Sequence, residues 1–246
     1  MKKCWICSAE SNTSEHKIKR KDLIQLYGKG PYKGDKALVH FKDGKQTLVH
    51  GPNSKRVKFE NNLCNECNSS FTQPFDLAYD KFIVWFDSNK EFVYRKRVID
   101  WKVVYGDDFI KQQTNLFKYF AKCLGCRIDD HGNEVPRDLV ELLFKEQFET
   151  GLKISFCINE DMALLPDQDM GLGIHPLYID KSPYPDTPAY FCGHSYRWLD
   201  INYFYLFAYD NSQGATWIAD SRYIYLGYHE PLTDEERKSL KTKIMN

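Results

Sequence analysis

Two Cys-x2-Cys pairs, Cys4/Cys7 and Cys64/Cys67, constrain this chain more than any other feature of it. Each pair offers two sulfurs from one tight turn, and together they supply the four thiolates that tetrahedral Zn2+ takes in structural sites. The 56 residues between the pairs must then fold back so that both ends meet. With every position taken by sulfur, such an ion holds the fold and has no place for substrate or water. Met1-Lys2-Lys3 has no apolar stretch behind it, and no run of eighteen apolar residues occurs anywhere in the chain. The expected location is therefore cytoplasmic. There, cysteines serve as metal ligands or free thiols rather than disulfides.

The segment between the pairs has order of its own. A basic run, Lys17-Ile18-Lys19-Arg20-Lys21, leads into apolar residues at helical spacing, Leu23, Ile24, Leu26 and Tyr27, which Gly28 to Pro31 terminate. Residues 37–41 and 46–50 flank Asp43-Gly44, a hairpin signal. Val57 to Phe59 reads as another short strand. Asn68, Ser69 and Ser70 are helix-capping residues placed just behind the second pair. Net charge is zero overall, yet residues 1–73 carry 14 Lys+Arg against 7 Asp+Glu, and the remainder 20 against 27. A basic front half is a footprint for nucleic acid, because phosphate binding needs local rather than global positive charge.

Knuckle, Glu15-His16, a basic insert with a hairpin, and then Leu63-Cys64-Asn65-Glu66-Cys67-Asn68 opening a helix resemble the HNH endonucleases. The likeness is to the branch in which Glu-His replaces Asp-His, and it covers about residues 1–88. It implies a ββα-metal fold braced by zinc at Cys4, Cys7, Cys64 and Cys67, and hydrolysis of DNA phosphodiesters. In that chemistry His16 is the general base, since a neutral imidazole suits proton abstraction near pH 7. The resemblance implies that Glu15 and Asn68 hold a divalent cation, Mg2+ or Mn2+, that stabilises charge on the phosphate. Lys17, Lys19, Arg20 and Lys21 are the expected phosphate contacts. The family's middle Asn is missing: Phe59 stands there, with Asn61 and Asn62 nearby. His50, Asp76 and Asp80 are the candidates for a third ligand. Phage defence and restriction are contexts the family suggests. The alternative is a zinc-knuckle module that binds nucleic acid or protein without cleaving.

The rest of the chain speaks to fold. A helix is expected from Phe109 to about Lys122, another after Pro136, and strands over Leu152–Ile158, Ile201–Tyr209 and Trp217–Leu226. Residues 210–214 read as a turn. Fourteen aromatics in residues 184–228 read as the filling of a β-sheet core. Cys123, Cys126 and His131 lack a fourth ligand for a second metal. The expectation is an α+β protein: an HNH-like zinc-knuckle domain over residues 1–88, a helical segment over about 89–150 and an aromatic-rich β domain over about 151–246. The C-terminal part would serve recognition, control by a regulatory ligand, or assembly into a homo-oligomer.

Overall fold

A computed structural model describes residues 2–238 apart from 43–44, 148, 168–169, 182–187, 207–215 and 237. The first pair sits in a tight turn closed by Ser8 N–H to the Cys4 carbonyl. Residues 13–17 then run antiparallel to 57–63, joined by bridges between Thr13 and Leu63 and between His16 and Lys58. The expected strand at Val57 to Phe59 is a 3-10 turn, Lys55–Val57, followed by that single bridge. Helix α1 (Arg20–Tyr27) ends at Gly28, whose φ of 81° lies where only glycine is free of strain. The expected hairpin follows as β1 (Leu38–Lys42) and β2 (Lys45–Val49), antiparallel from Leu38 opposite Val49 to Lys42 opposite Lys45, and Asp43-Gly44 falls outside the described residues.

The helix behind the second pair starts earlier than its sequence suggests. Asn65 donates its backbone N–H to Asn12 Oδ1 at 3.0 Å, so the cap comes from the facing strand and not from Asn68. Cys67–Phe71 is a π turn with Asn68 inside it, and α2 (Gln73–Lys96) continues from there with Pro74 in its first turn. Phe75, Ala78, Tyr79, Phe82, Ile83, Phe86 and Val93 give α2 one buried stripe. The boundary expected at residue 88 lies within this helix.

Beyond α2 come β3 (Val98–Asp100), α3 (Trp101–Tyr105), α4 (Phe109–Asp130) and α5 (Arg137–Phe144). Next are β4 (Leu152–Asn159), α6 (Glu160–Ala163), β5 (Leu172–Asp180), β6 (Ala189–Tyr196) and β7 (Leu199–Tyr205), then the short β8 (Tyr223–Tyr225) and β9 (Gly227–His229). Five of these strands form one sheet in the order β5-β6-β7-β4-β9, antiparallel except for the β4–β9 pair. Trp217 joins the sheet only through a bridge to Ile154, so the strand expected over Trp217–Leu226 is broken. Residues 210–214 and the end of the strand expected at Ile201–Tyr209 lie outside the described residues.

The sheet turns Phe156, Tyr196, Ile201 and Tyr203 toward α2 and α4, where Phe82, Phe86 and Phe120 meet them edge-on or tilted. These rings are core, as the aromatic density implies. One continuous apolar core runs from Cys4 and Ile6 through α2 and α4 to Leu226.

Helix α4 is buried all round for most of its second half, which obliges two of its charged residues, Lys122 and Arg127, to find partners inside. Arg127 donates to the His175 and Gly193 carbonyls of the sheet at 2.8 and 2.7 Å. On the zinc side Gly125 lets the Trp5 ring lie against the helix, where a Cβ would meet Trp5 carbon at 2.6 Å. Replacing Gly125→Ala must push the knuckle away from α4. A loss of about 1–3 kcal/mol is expected by thermal or denaturant unfolding.

Candidate functional site

The two cysteine pairs meet. All four sulfurs lie within 4.8 Å of one another, Cys7 and Cys64 at 3.5 Å, and none is in a disulfide. A tetrahedral ion with bonds of about 2.3 Å needs sulfur edges of about 3.8 Å, so the cluster is compatible with a structural Zn2+. Cys67 N–H also points at Cys64 Sγ, 3.4 Å away, a donor that favours a thiolate there.

From this anchor the strand carrying Glu15 and His16 is pinned on both sides. Phe59 N–H bonds the Glu15 carbonyl at 2.9 Å and Lys17 N–H the Val57 carbonyl at 2.8 Å. Asn61 Oδ1 accepts from Ser14 Oγ at 2.7 Å, one residue before Glu15, so the nearest candidate for the missing middle Asn does brace this strand. Asn62 is used differently: it is fully buried and its Nδ2 donates to the Cys126 carbonyl of α4 at 3.3 Å.

His16 lies half-buried, and its Nε2 has no hydrogen-bond partner. Burial is the main force lowering its pKa from the ordinary imidazole value; the Lys58 and Arg20 charges push the same way, against Glu15 and the Pro52 carbonyl. The ring is therefore neutral at pH 7, and its Nε2 is buried without a partner. Arg20 is exposed and held by Asn53 Oδ1 at 3.1 Å, and Lys58 is the bridge partner of His16 itself. Lys58 escaped notice in the sequence because its relation to His16 depends on a strand register that no local pattern reveals.

Glu15 turns toward the helices. Its Oε2 accepts from Lys122 Nζ at 3.2 Å, while Asp76 of α2 accepts from the same ammonium with Oδ1 at 3.0 Å and Oδ2 at 2.9 Å. The Lys122 side chain is 0% exposed. Burial by itself would lower the ammonium, but Glu15 and Asp76 together more than reverse this and raise it. Asp76 is likewise held charged, below the usual carboxylate range, because Lys122 and Lys19 outweigh its own burial. Lys19 Nζ reaches Asp76 Oδ1 at 2.8 Å and Asp80 at 3.1 Å, over the stacked rings of Tyr79 and Tyr119. Lys21 pairs with Asp80 at 3.2 Å and Lys17 with Asp130 at 3.4 Å. Of the four basic residues expected to touch phosphate, Arg20 and Lys21 are exposed and Lys19 faces inward.

The residues offered for Mg2+ or Mn2+ do not form an open cation site in this arrangement. Both Glu15 oxygens are engaged, Oε1 by the His16 backbone N–H at 3.1 Å. Asp76 and Asp80 are engaged by lysines, Asn68 sits within the π turn, and His50 is an exposed residue beyond β2. Among the described residues the four cysteines are the one group of three or more such ligands that converges, so Cys123, Cys126 and His131 form no second centre.

A second polar chain ties the insert to the sheet. Tyr79 donates to Asp22 Oδ2 at 2.9 Å, lies 3.3 Å from His194 Nε2, and His194 Nδ1 meets the Tyr203 hydroxyl. Burial pushes the Asp22 carboxyl up to about 7. Cys192 and His194, two apart on β6, are thus absorbed by the core: burial raises the thiol and holds the imidazole neutral.

Compared with known proteins, the chain matches no family model, no curated protein and no solved structure. No helix among the described residues is long and apolar enough to cross a membrane. Elemental analysis of the purified chain is expected to give one zinc per molecule. Cys64→Ser should lose that metal and shift unfolding sharply downward, since structural zinc contributes folding energy directly; full stability without zinc would remove the four-thiolate centre.

Proposed function

We propose that the chain is an endonuclease of the HNH type that hydrolyses DNA phosphodiesters, with His16 as general base. The observation that carries this reading is the His16 ring: it is neutral, its Nε2 is buried without a hydrogen-bond partner, and the charges of Arg20 and Lys58 act on it. A phosphodiester bound at those cations would have to uncover Nε2 to admit the attacking water. The imidazole takes its proton as the bond from that oxygen to phosphorus forms and the bond from phosphorus to the sugar oxygen breaks, the leaving oxygen taking a proton from solvent. Arg20, Lys21, Lys55, Arg56 and Lys58 supply charges that position the backbone without reading sequence. Glu15 then acts by fixing the strand from its far face. In HNH chemistry Mg2+ or Mn2+ stabilises the leaving oxygen. Engaged by the Lys122 and Lys19 ammonium groups and a backbone donor, Glu15 and Asp76 offer that ion no uncommitted oxygen. The sheet from Leu152 onward would serve recognition, control or assembly, and phage defence or restriction would be a fitting setting.

A second reading has its own support. The ion pairs that saturate Glu15, Asp76 and Asp80 are what a purely structural module needs, so a nucleic-acid- or protein-binding knuckle without cleavage is the competing reading. Plasmid incubated with the zinc-loaded protein, in EDTA and in Mg2+ or Mn2+, separates the two. Cleavage by the wild-type chain and a loss of at least about 100-fold in His16→Ala support the base. Equal cleavage by both would remove His16 from the mechanism, and tight binding without cleavage would favour the binding module. The acid limb of the pH–rate profile should lie below the usual imidazole pKa of about 6.5, because the working base is the neutral ring and its pKa is lowered. Lys58→Met removes a charge that lowers it, so the acid limb of the pH–rate profile should move to higher pH.

A further inference from the structure

We propose that the Lys122 ammonium is the resident cation of the Glu15–Asp76 carboxylate pair, occupying the place where a divalent ion would otherwise sit. The hydrogen-bond count carries this. A lysine ammonium has three protons, and Lys122 Nζ has three carboxylate acceptors at 3.2, 3.0 and 2.9 Å. No proton is left over, and the group is wholly enclosed. The charges also balance: Glu15, Asp76 and Asp80 face Lys122, Lys19 and Lys21. A divalent ion entering this cluster without displacing the ammonium would leave an excess of two positive charges beside a lysine that no solvent reaches. Mg2+ in particular demands near-octahedral oxygens, and the Glu15 and Asp76 oxygens that would serve are already taken by ammonium and backbone donors.

The position of the ammonium is built rather than incidental. Gly125, one turn further along α4, seats the helix against Trp5 of the first knuckle, and the Cys126 carbonyl is tied to Asn62 ahead of the second. These two contacts set the height of α4 against the zinc module and so deliver Lys122 beneath Glu15. Lys122 touches no solvent and is a positioning residue. By holding the Glu15 side chain on the helix-facing side of its strand it leaves His16 on the other side, toward Pro52, Arg20 and Lys58. This inference rests on reading Glu15-His16 as the working strand of the module, but it concerns which cation that strand carries and not whether DNA is cut.

The test therefore reads metal binding instead of cleavage. Zinc-loaded wild type, Glu15→Gln, Asp76→Asn and Lys122→Met are titrated with MnCl2, free Mn2+ being followed by electron paramagnetic resonance, with zinc content and near-ultraviolet circular dichroism reporting the fold. Wild type is expected to bind Mn2+ no more tightly than Asp76→Asn or Glu15→Gln do. Lys122→Met is expected to gain a site at least tenfold tighter, which Lys122→Met/Asp76→Asn loses. A wild-type Mn2+ site that disappears in Asp76→Asn would overturn the proposal, and this comparison needs no change at Lys122. A folded Lys122→Met that gains no site would overturn it as well, because the ammonium would not then be what keeps the divalent ion out. Loss of DNA cleavage in any variant bears on the nuclease reading alone.

Discussion

A lysine ammonium with no exposed surface is the constraint on which the arrangement of this protein depends. Removing one partner of a buried ion pair costs about 3–5 kcal/mol, because the charge left behind has neither water nor counterion. Lys122 therefore cannot be enclosed unless Glu15 and Asp76 arrive with it. Glu15 comes from the strand after the first knuckle, Asp76 from the helix after the second, and Lys122 from α4. Three segments widely separated in sequence are obliged to meet at one nitrogen. The four thiolates draw two of those segments together, and the ion pair fixes how the third lies across them.

Helix α4 carries that constraint into the rest of the molecule. Its Phe120 packs against Phe156 and Tyr203, and its Arg127 satisfies two sheet carbonyls. The four-cysteine module and the sheet are thus two sides of one core, divided by α2 and α4. The chain from Asp22 through Tyr79 and His194 to Tyr203 makes the same crossing with hydrogen bonds. A displacement of the sheet would be felt at α2 and α4, which hold both partners of the buried pair.

Much of the frame was legible because its causes are local. Gly28 had to end α1, and Asp43-Gly44 had to separate two strands. The cysteine spacing specified the four-sulfur cluster because four thiols have few other uses in such a pattern. What could not be read depended on tertiary placement. Asn68 has the chemistry of a cap, yet Asn12 takes the role from across the finger. Lys19 reads as a phosphate contact in a basic run, yet two aspartates one turn apart on α2 turn it inward. Lys122 gave one faint signal, a charge among Leu116, Phe117 and Phe120 on an apolar helix, but its partners lie 46 and 107 residues away.

The candidate site is thus a neutral, half-buried His16 on which the charges of Arg20 and Lys58 act, and, toward the helices, an ionic cluster centred on the fully buried Lys122. This division gives the proposed base its position and leaves the carboxylate pair without an open coordination position. Crystals of the zinc-loaded protein soaked in MnCl2, with anomalous maps recorded at the zinc and manganese edges, examine that division directly. The account predicts a zinc peak among Cys4, Cys7, Cys64 and Cys67, and no manganese peak within bonding distance of Glu15 and Asp76. A manganese ion seated between those two carboxylates, with Lys122 turned away, would contradict it.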